Sequence, residues 1–387
     1  MTAPAIPLRP ILLPADPAAA VTVLRHAVER AHTGAEAIAP VTNAEQARAL
    51  PAEVPATTAA VLSTSGSSGE PKRTLLSRNA LLASSRATAA RLGGPGDWLL
   101  CLPAGYVAGF QVISRAALGG TAVATLPDGH FDSAAFAASA ARMTGDRRYT
   151  SLVPTQVTRL LADVQGRAAL ATFDTVLIGG ARLDPGTERR LRAVTTAVVT
   201  YGMTETCGGC VYDGRPLDGV LVRIVDGLIH IGGPVLADGY LDHPDGGGFY
   251  REGDRHWYRT ADRGHWDGER LVPTGRVDDL INTGGVKVSA VAIERELSEV
   301  PWVETAVVLA LPDSEWGEVV AAYVVPRQTV SAPDPDALRA VVRERLGRAA
   351  VPKHLVVDPD LPLLPNSKID RRAVRDRLTA AAGPRRA

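Results

Sequence analysis

Between residues 57 and 225, short apolar runs alternate with longer stretches of helical spacing, and this alternation restricts the fold more than any other feature of the chain. The runs AAVLS (59–63), DWLLCLP (97–103), GTAVATL (120–126), YTSLVP (149–154), DTVLIGG (174–180) and TAVVTYG (196–202) have the length and apolar content of buried strands. Between them, SRNALLASSRATAARLG opens on Ser77, a favoured N-cap, and closes on Gly93. PTQVTRLLADV puts Pro154 in a first turn, where its missing N–H is no loss, and DSAAFAASAARMTG is also helical in spacing. Strands alternating with helices predict a layered α/β domain.

The texture changes after 225. HPDGGGFYREGD is turn chemistry, and GLIHIGGPV and GERLVPTG read as hairpin strands. Beyond 276, SAVAIERELSEV and DPDALRAVVRERLG read as helices, and ETAVVLALP and EVVAAYVVP as strands, which predicts a smaller α+β unit. A chain of 387 residues is longer than one ordinary core, so two or more domains are expected.

Bulk chemistry excludes several roles. The 42 basic residues balance 42 acidic ones, and aromatics make up 5%, so neither a phosphate-binding surface for nucleic acid nor a stacking platform is expected. Three cysteines argue for a reducing compartment, and the N-terminus lacks the pattern of a signal peptide, so a cytoplasmic location is expected. The apolar stretch at 98–126 is interrupted by Pro103, Gln111 and Arg115, and it predicts a buried strand, a loop and a core helix, not a membrane span.

The loop STSGSSGEPK (63–72) leaves an apolar strand with glycines that let backbone N–H groups reach an anion, hydroxyls that add donors, and a terminal lysine. It does not align with a Walker A loop, and alone it reads more readily as a flexible surface hairpin. Four further stretches accompany it: YGMTET (201–206), YRTADRG (258–264), GRVDDLINTGGVKVS (275–289) and LLPNSKIDRRA (363–373).

This ordered set resembles the motifs of the adenylate-forming enzymes: acyl- and aryl-CoA synthetases, luciferases and the adenylation domains of peptide synthetases. CLPAGYVAGFQVISRA (101–116), RRYTSLVPTQVTRLL (147–161) and YGMTETCGGCVYDGRPLDGV (201–220) are similar to the o-succinylbenzoate–CoA ligases in their short actinobacterial form. The resemblance implies a large layered N-terminal α/β adenylation domain over 1–277 and a small mobile α+β C-terminal domain over 278–387. It implies ATP, Mg²⁺ and CoA as cofactor and co-substrates and a small carboxylic acid as substrate. No nucleic-acid or integral-membrane partner is implied, and homo-oligomerisation is left open. Other aryl- or fatty-acyl-CoA ligases, and a stand-alone adenylation enzyme loading a carrier protein, are the alternatives.

The same resemblance assigns the roles. Thr64, Ser65, Gly66, Ser67, Ser68, Gly69 and Lys72 hold the β- and γ-phosphates; Thr204 reaches the α-phosphate and Glu205 helps hold Mg²⁺. Tyr201 and Gly202 border the adenine, which lies along Gly179, Gly180 and Ala181; Asp262 accepts from the ribose hydroxyls with help from Arg276. Lys368 is the catalytic lysine, and Asp278 the hinge, with NTGG (282–285) a permissive loop facing the CoA arm. Tyr106, Arg115, Gly208 and Gly209 fall in the acyl pocket, where Gly105-Tyr106 departs from the histidine common in related ligases. Arg115 and Arg182 are both candidates to grip a second, unreacting carboxylate; a structural ion pair is the competing reading for Arg115. Cys207-x-x-Cys210 has neither a second cysteine pair nor spaced histidines, so it is not read as a metal or redox site.

Overall fold

The computed structural model describes residues 4–64, 72–129, 131–243, 246–327, 334–364 and 368–382, without the side chains of Thr64 and Asp278. The chain divides into two compact units. One comprises Met1–Val225, Ile229–Thr260 and Trp266–Leu271, the other Asp226–Leu228, Ala261–His265 and Val272–Ala387.

The first unit begins with β1 (Ala5–Leu12), α1 (Pro17–Thr33), β2 (Ala37–Val41), α2 (Ala44–Arg48), β3 (Glu53–Pro55), β4 (Thr58–Thr64) and β5 (Lys72–Ser77). It continues through α3 (Arg78–Leu92), β6 (Asp97–Leu100), α4 (Val107–Gly119), β7 (Val123–Thr125), α5 (Ser133–Ala141) and β8 (Arg148–Leu152). Then come α6 (Pro154–Ala162), α7 (Val164–Leu170), β9 (Thr175–Ile178), α8 (Pro185–Arg192) and β10 (Ala197–Met203). A 3₁₀ turn at Thr204–Thr206 leads to β11 (Gly208–Tyr212), β12 (Arg215–Pro216), β13 (Leu221–Val225), β14 (Leu228–Gly232), β15 (Gly239–Tyr240) and β16 (Phe249–Glu252). The division between the units falls within the next two strands, β17 (Arg255–Asp267) and β18 (Arg270–Arg276).

Two large sheets organise this unit, and a third, of order β13-β14-β17-β16 with β18 beside β17, lies mostly within it. The larger has the order β12-β11-β10-β9-β8-β6-β7, and β7, β6, β8, β9 and β10 all run parallel. The smaller has the order β15-β5-β4-β2-β1-β3. Alternation along β4 and β5 sends Leu62 and Leu76 into a core with Leu24 and Val28 of α1, Leu81 of α3 and Phe110 of α4, and Val61 and Leu75 to the opposite face. Phe136, Val157, Leu160 and Leu191 cover the other side of β8 and β9. Helix α3 begins and ends where the sequence predicts. Ser77 Oγ accepts from Ala80 N, a cap that contributes about 1 kcal/mol, and Gly93 closes it at φ 84°.

The elements before residue 57 were not expected. Prolines at 7, 10 and 40 argue against strands because each lacks a ladder donor. Strand β1 tolerates two of them because Leu8–Leu12 pairs with β2 and Ala5–Pro7 with β3, so neither half is bracketed on both sides.

The second unit contains β19 (Leu280–Thr283), β20 (Val286–Ser289), α9 (Ala290–Ser298), β21 (Val303–Asp313), β22 (Gly317–Pro326), α10 (Pro335–Leu346), β23 (His354–Val357) and α11 (Arg371–Ala381). Its sheet runs β20-β19-β22-β21 with β23 beside β22. Helices α9 and α10 pack on one face, through Ile293, Leu297, Leu338 and Val342, and α11 on the other, through Val374 and Leu378. The expected NTGG loop is smaller than predicted: Asn282 and Thr283 end β19, and Gly284-Gly285 alone make the hairpin turn to β20. Among the described residues no helix is long and apolar enough to cross a membrane.

Candidate active site

Parallel α/β sheets bind ligands beyond the carboxyl ends of their strands, because loops and helix starts converge there. In the first unit that end of the larger sheet carries Gly179, Gly180 and Ala181 after β9, and Tyr201–Glu205 at the end of β10. Gly179 N donates to Leu152 O (3.1 Å), and Thr200 Oγ1 donates to Ile178 O (3.0 Å), so the small-residue turn is fastened on both sides. Arg182 follows this turn and is exposed.

The turn bearing Thr204 and Glu205 is tightly specified. Strands β10 and β11 pair with a bulge between Tyr201 and Gly202. A Cβ on Gly202 would meet the Gly208 carbonyl oxygen at 2.1 Å, so only glycine lets the strands close here. Thr206 Oγ1 accepts from Met203 N (2.9 Å) and donates to Gly208 O (2.7 Å). Cys207 takes φ 53°, and its carbonyl accepts from Ser84 Oγ of α3 (3.2 Å) and from Gln111 Nε2 of α4. Thr204 is buried, and the Glu205 carbonyl accepts from Ala237 N (2.8 Å).

The glycine-serine loop enters this unit as a hairpin connection. Thr64 and Lys72 are register partners across β4 and β5, so the two ends of the loop lie opposite one another. Ser65, Gly66, Ser67, Ser68 and Gly69 lie outside the described residues. Beside Lys72, Arg73 Nε donates to Asp242 Oδ2 (2.8 Å), and this guanidinium holds the Asp242 carboxyl below the usual carboxylate range. That pair fastens β5 to the chain after β15, bringing Tyr240 to the loop: the Lys72 ammonium lies 5.2 Å above the Tyr240 ring.

Glu205 has two neighbours that sequence reasoning missed. Tyr240 Oη donates to Glu205 Oε1 at 2.5 Å and Tyr258 Oη to the same oxygen at 3.4 Å, with the two hydroxyls 3.0 Å apart. Tyr258 sits at the head of the YRTADRG stretch, but nothing local to Tyr240 pointed to a carboxylate 35 residues away. No described group donates to Glu205 Oε2, and no cluster of three metal-ligating side chains occurs among the described residues. One available carboxylate oxygen suits Mg²⁺, which keeps waters and binds substrate phosphates instead of filling a protein cage.

Helix α4 supplies the acyl-pocket candidates. Tyr106 is its N-cap and is partly exposed, while Arg115 lies two turns along and is 8% exposed. The Arg115 guanidinium carbon is 5.8 Å from the Trp98 ring centroid, and its Nε has no hydrogen-bond partner among the described residues. Among the described residues no ion pair involving Arg115 is seen, and both readings of this residue, substrate grip and structural pair, stay open. Burial pushes the Cys207 thiol up, and the positive charge of Arg115 acts in the opposite direction. A Cβ on Gly208 would touch Gln111 and Val107 of α4 at 3.5 and 3.8 Å, so Gly208 lies against that helix, whereas one on Gly209 would meet Tyr212 and Thr200 at 3.0 and 3.1 Å. Cys207 and Cys210 are fully buried, and burial pushes the Cys210 thiol up to about 12, which keeps it protonated and unreactive near neutral pH.

In the second unit Arg276 Nη1 donates to Asp262 Oδ1 (3.2 Å), so these two predicted residues are brought together, with Asp262 largely buried. Asp278 lies in the 3₁₀ turn Val277–Asp279. Lys368 lies in a turn closed by the bridge Leu363–Ile369 and by Leu364 N donating to Lys368 O (2.8 Å). Just beyond it, Arg371 pairs with Glu294 (3.0 Å) and approaches Asp279 (4.0 Å), tying the lysine turn to α9 and to the turn that holds Asp278.

Comparison with known proteins agrees with this geometry. The AMP-binding enzyme family matches residues 7–241, and the AMP-binding enzyme C-terminal domain matches residues 292–368. A probable 2-succinylbenzoate–CoA ligase of Mycobacterium tuberculosis (strain ATCC 25618 / H37Rv) is 40% identical over 330 residues, 84% of this chain and 85% of the relative. The 2-succinylbenzoate–CoA ligase of Salmonella typhimurium (strain LT2) is 31% identical over 323 residues, 81% of this chain and 67% of the relative. Among solved structures, the amide bond synthetase McbA from Marinactinospora thermotolerans superimposes with TM-score 0.71 at 26% identity, covering 93% of this chain and 77% of that one. The o-succinylbenzoate CoA synthetase from Bacillus subtilis gives TM-score 0.71 at 21% identity over 97% of this chain and 89% of that one, a likeness of fold. On the extent of these matches, the chain belongs to the AMP-binding enzyme family.

Proposed function

We propose that this chain activates 2-succinylbenzoate with ATP and transfers the acyl group to CoA, as a cytoplasmic enzyme of menaquinone biosynthesis. A carboxylate oxygen attacks the α-phosphorus, the bond to the β-phosphate oxygen breaks, and pyrophosphate leaves. The CoA thiol, losing its proton, then attacks the acyl carbon and AMP departs. Both steps demand charge neutralisation and alignment more than a protein nucleophile.

In this reading the segment Thr64–Gly69 with Lys72 holds the pyrophosphate end, and Thr204 reaches the α-phosphate. Gly179–Ala181, Tyr201 and Gly202 border the adenine, and Asp262 and Arg276 serve the ribose. Glu205 would hold Mg²⁺ through Oε2, and that ion supplies positive charge to the phosphates. Lys368 neutralises the charge shared by the attacking carboxylate and the α-phosphate. Residues 278–387 turn about Asp278 between the two half-reactions, bringing first Lys368 and then the Gly284-Gly285 turn to the reacting centre.

The observation that carries the substrate is Arg115. A buried guanidinium without a carboxylate partner is costly in a folded protein. A substrate whose second carboxylate takes no part in the reaction supplies such a partner, and Arg115 lies on α4, the helix against which Gly208 of the assigned acyl pocket packs. Arg182, exposed after the adenine turn, is the weaker candidate. The test is pyrophosphate release across a panel of 2-succinylbenzoate, benzoate and medium-chain fatty acids, with and without CoA. The fastest release with 2-succinylbenzoate, and multiple turnovers only when CoA is added, are expected. Preference for a monocarboxylate would remove the substrate assignment; turnover only with a carrier protein's thiol would replace CoA.

A further inference from the structure

The run Gly246-Gly247-Gly248-Phe249 has no assigned role in the reaction, yet it shapes the surroundings of Glu205. Gly247 takes φ 52° and Gly248 φ 112°. A Cβ on Gly247 would meet the Tyr240 ring at 2.7 Å, and one on Gly248 would meet the Tyr258 ring at 3.0 Å. Both conformation and space therefore require glycine, because the turn passes directly against two phenol rings. Phe249 completes the seat, with its centroid 5.4 Å from the Tyr240 ring and 4.6 Å from that of Tyr258. Strands β16 and β17 hold Phe249 and Tyr258 as register partners, and β15 joins Tyr240 to β5 opposite Thr74. Each ring is thus fixed by backbone pairing and by packing, independently of the carboxylate.

Both hydroxyls then converge on one oxygen, Glu205 Oε1, and the π face of Tyr240 lies under the Lys72 ammonium. Such a pair of donors fixes the carboxylate's rotation: with Oε1 engaged, the plane of the group and the direction of Oε2 are set.

Resting on the reading of Glu205 as the metal carboxylate, we propose that Tyr240 and Tyr258, seated by Gly247, Gly248 and Phe249, are positioning residues that aim Glu205 Oε2 at the divalent cation of the bound nucleotide. Tyr240 also links the lysine of the phosphate loop to the metal carboxylate, so the two charges that grip the triphosphate share one support. In this role the tyrosines act through Glu205 and Lys72.

The test measures Mn²⁺ binding to the full chain by electron paramagnetic resonance, in the presence of α,β-methylene-ATP, which cannot release pyrophosphate. Tyr240→Phe, Tyr258→Phe and Glu205→Gln are compared with the unaltered chain, each with its melting temperature. Phenylalanine keeps the ring packing and the face beneath Lys72, so the melting temperatures of the tyrosine variants stay close to the parent's. Loss of a hydrogen bond to a charged acceptor should weaken Mn²⁺ binding about tenfold in Tyr240→Phe. The longer bond of Tyr258 predicts a smaller loss, about threefold. Glu205→Gln should weaken it at least as much as Tyr240→Phe. Unchanged Mn²⁺ binding in both tyrosine variants, with Glu205→Gln impaired, overturns the positioning role and leaves the metal reading intact. Unchanged binding in Glu205→Gln overturns the metal reading itself, and the positioning role with it. If Tyr240→Phe melts well below the parent, Tyr258→Phe alone decides between the first two outcomes.

Discussion

Replacing Lys368 with alanine is expected to slow adenylate formation by about 10²–10³-fold, the scale on which loss of one preorganised donor at a developing charge is felt. Thioester formation from supplied acyl-adenylate should stay within about threefold of the parent, because the charge between carboxylate and α-phosphate no longer has to be overcome. The turn itself should survive. Its closing bonds, Leu364 N to Lys368 O and Asp370 N to Pro362 O (2.9 Å), are made by backbone atoms, and Asp370 caps α11 through Arg372 N and Ala373 N. Single-turnover assays of each half-reaction, read by pyrophosphate release and by thioester formation, separate the two. Equal loss in both would mean that the lysine supports the fold or both active arrangements alike, and the division of labour would be abandoned.

Arg115→Met is the second large effect, and its sign on stability opposes its sign on activity. The protein buries this guanidinium with its Nε unpartnered and, among the described residues, no carboxylate paired to it. Exchanging a buried charge for an apolar side chain of similar length is neutral or stabilising, so the melting temperature should not fall. When the second carboxylate of the acid binds, the same charge becomes one half of a desolvated pair, and truncating such a partner costs about 2–5 kcal/mol. The kcat/KM for 2-succinylbenzoate should therefore drop by roughly 10²–10³-fold. Rates with benzoate and with a medium-chain fatty acid, which have no second carboxylate, should change little, so discrimination between the diacid and these monocarboxylates collapses. A proportional loss on all three acids, or a lower melting temperature with diacid activity retained, would make Arg115 a structural residue.

Much of the architecture is legible in the sequence because the signals are local. Ser77 and Gly93 bound α3 by capping chemistry, Pro154 opens α6, and the apolar runs become β4 and β6–β10. The first fifty-five residues are harder, since prolines in β1 and β2 mask strands that survive only by pairing with partners distant in the chain. The candidate site divides along the same line. Motif residues such as Glu205, Gly202 and Lys368 stand out by local context. Tyr240 does not, because its role depends on β15 joining the far edge of the smaller sheet, a contact spanning more than 160 positions in the register of Gly239 with Leu75. In sequence the glycine run at 246–248 reads as turn chemistry, which it is; that two of its members make room for phenol rings is visible only in three dimensions. NTGG shows the reverse error, a motif read as one loop when strand pairing claims its first half.

The central claim is that a carboxylate oxygen of the acid attacks the α-phosphorus of ATP. It is tested most directly by supplying 2-succinylbenzoate with both carboxyl groups labelled with ¹⁸O, together with ATP and CoA, and reading the nucleotide product by mass spectrometry. Attack at the α-phosphorus predicts AMP carrying one heavy oxygen and unlabelled pyrophosphate. ADP with the heavy oxygen in orthophosphate would place the attack at the γ-phosphorus and contradict the account.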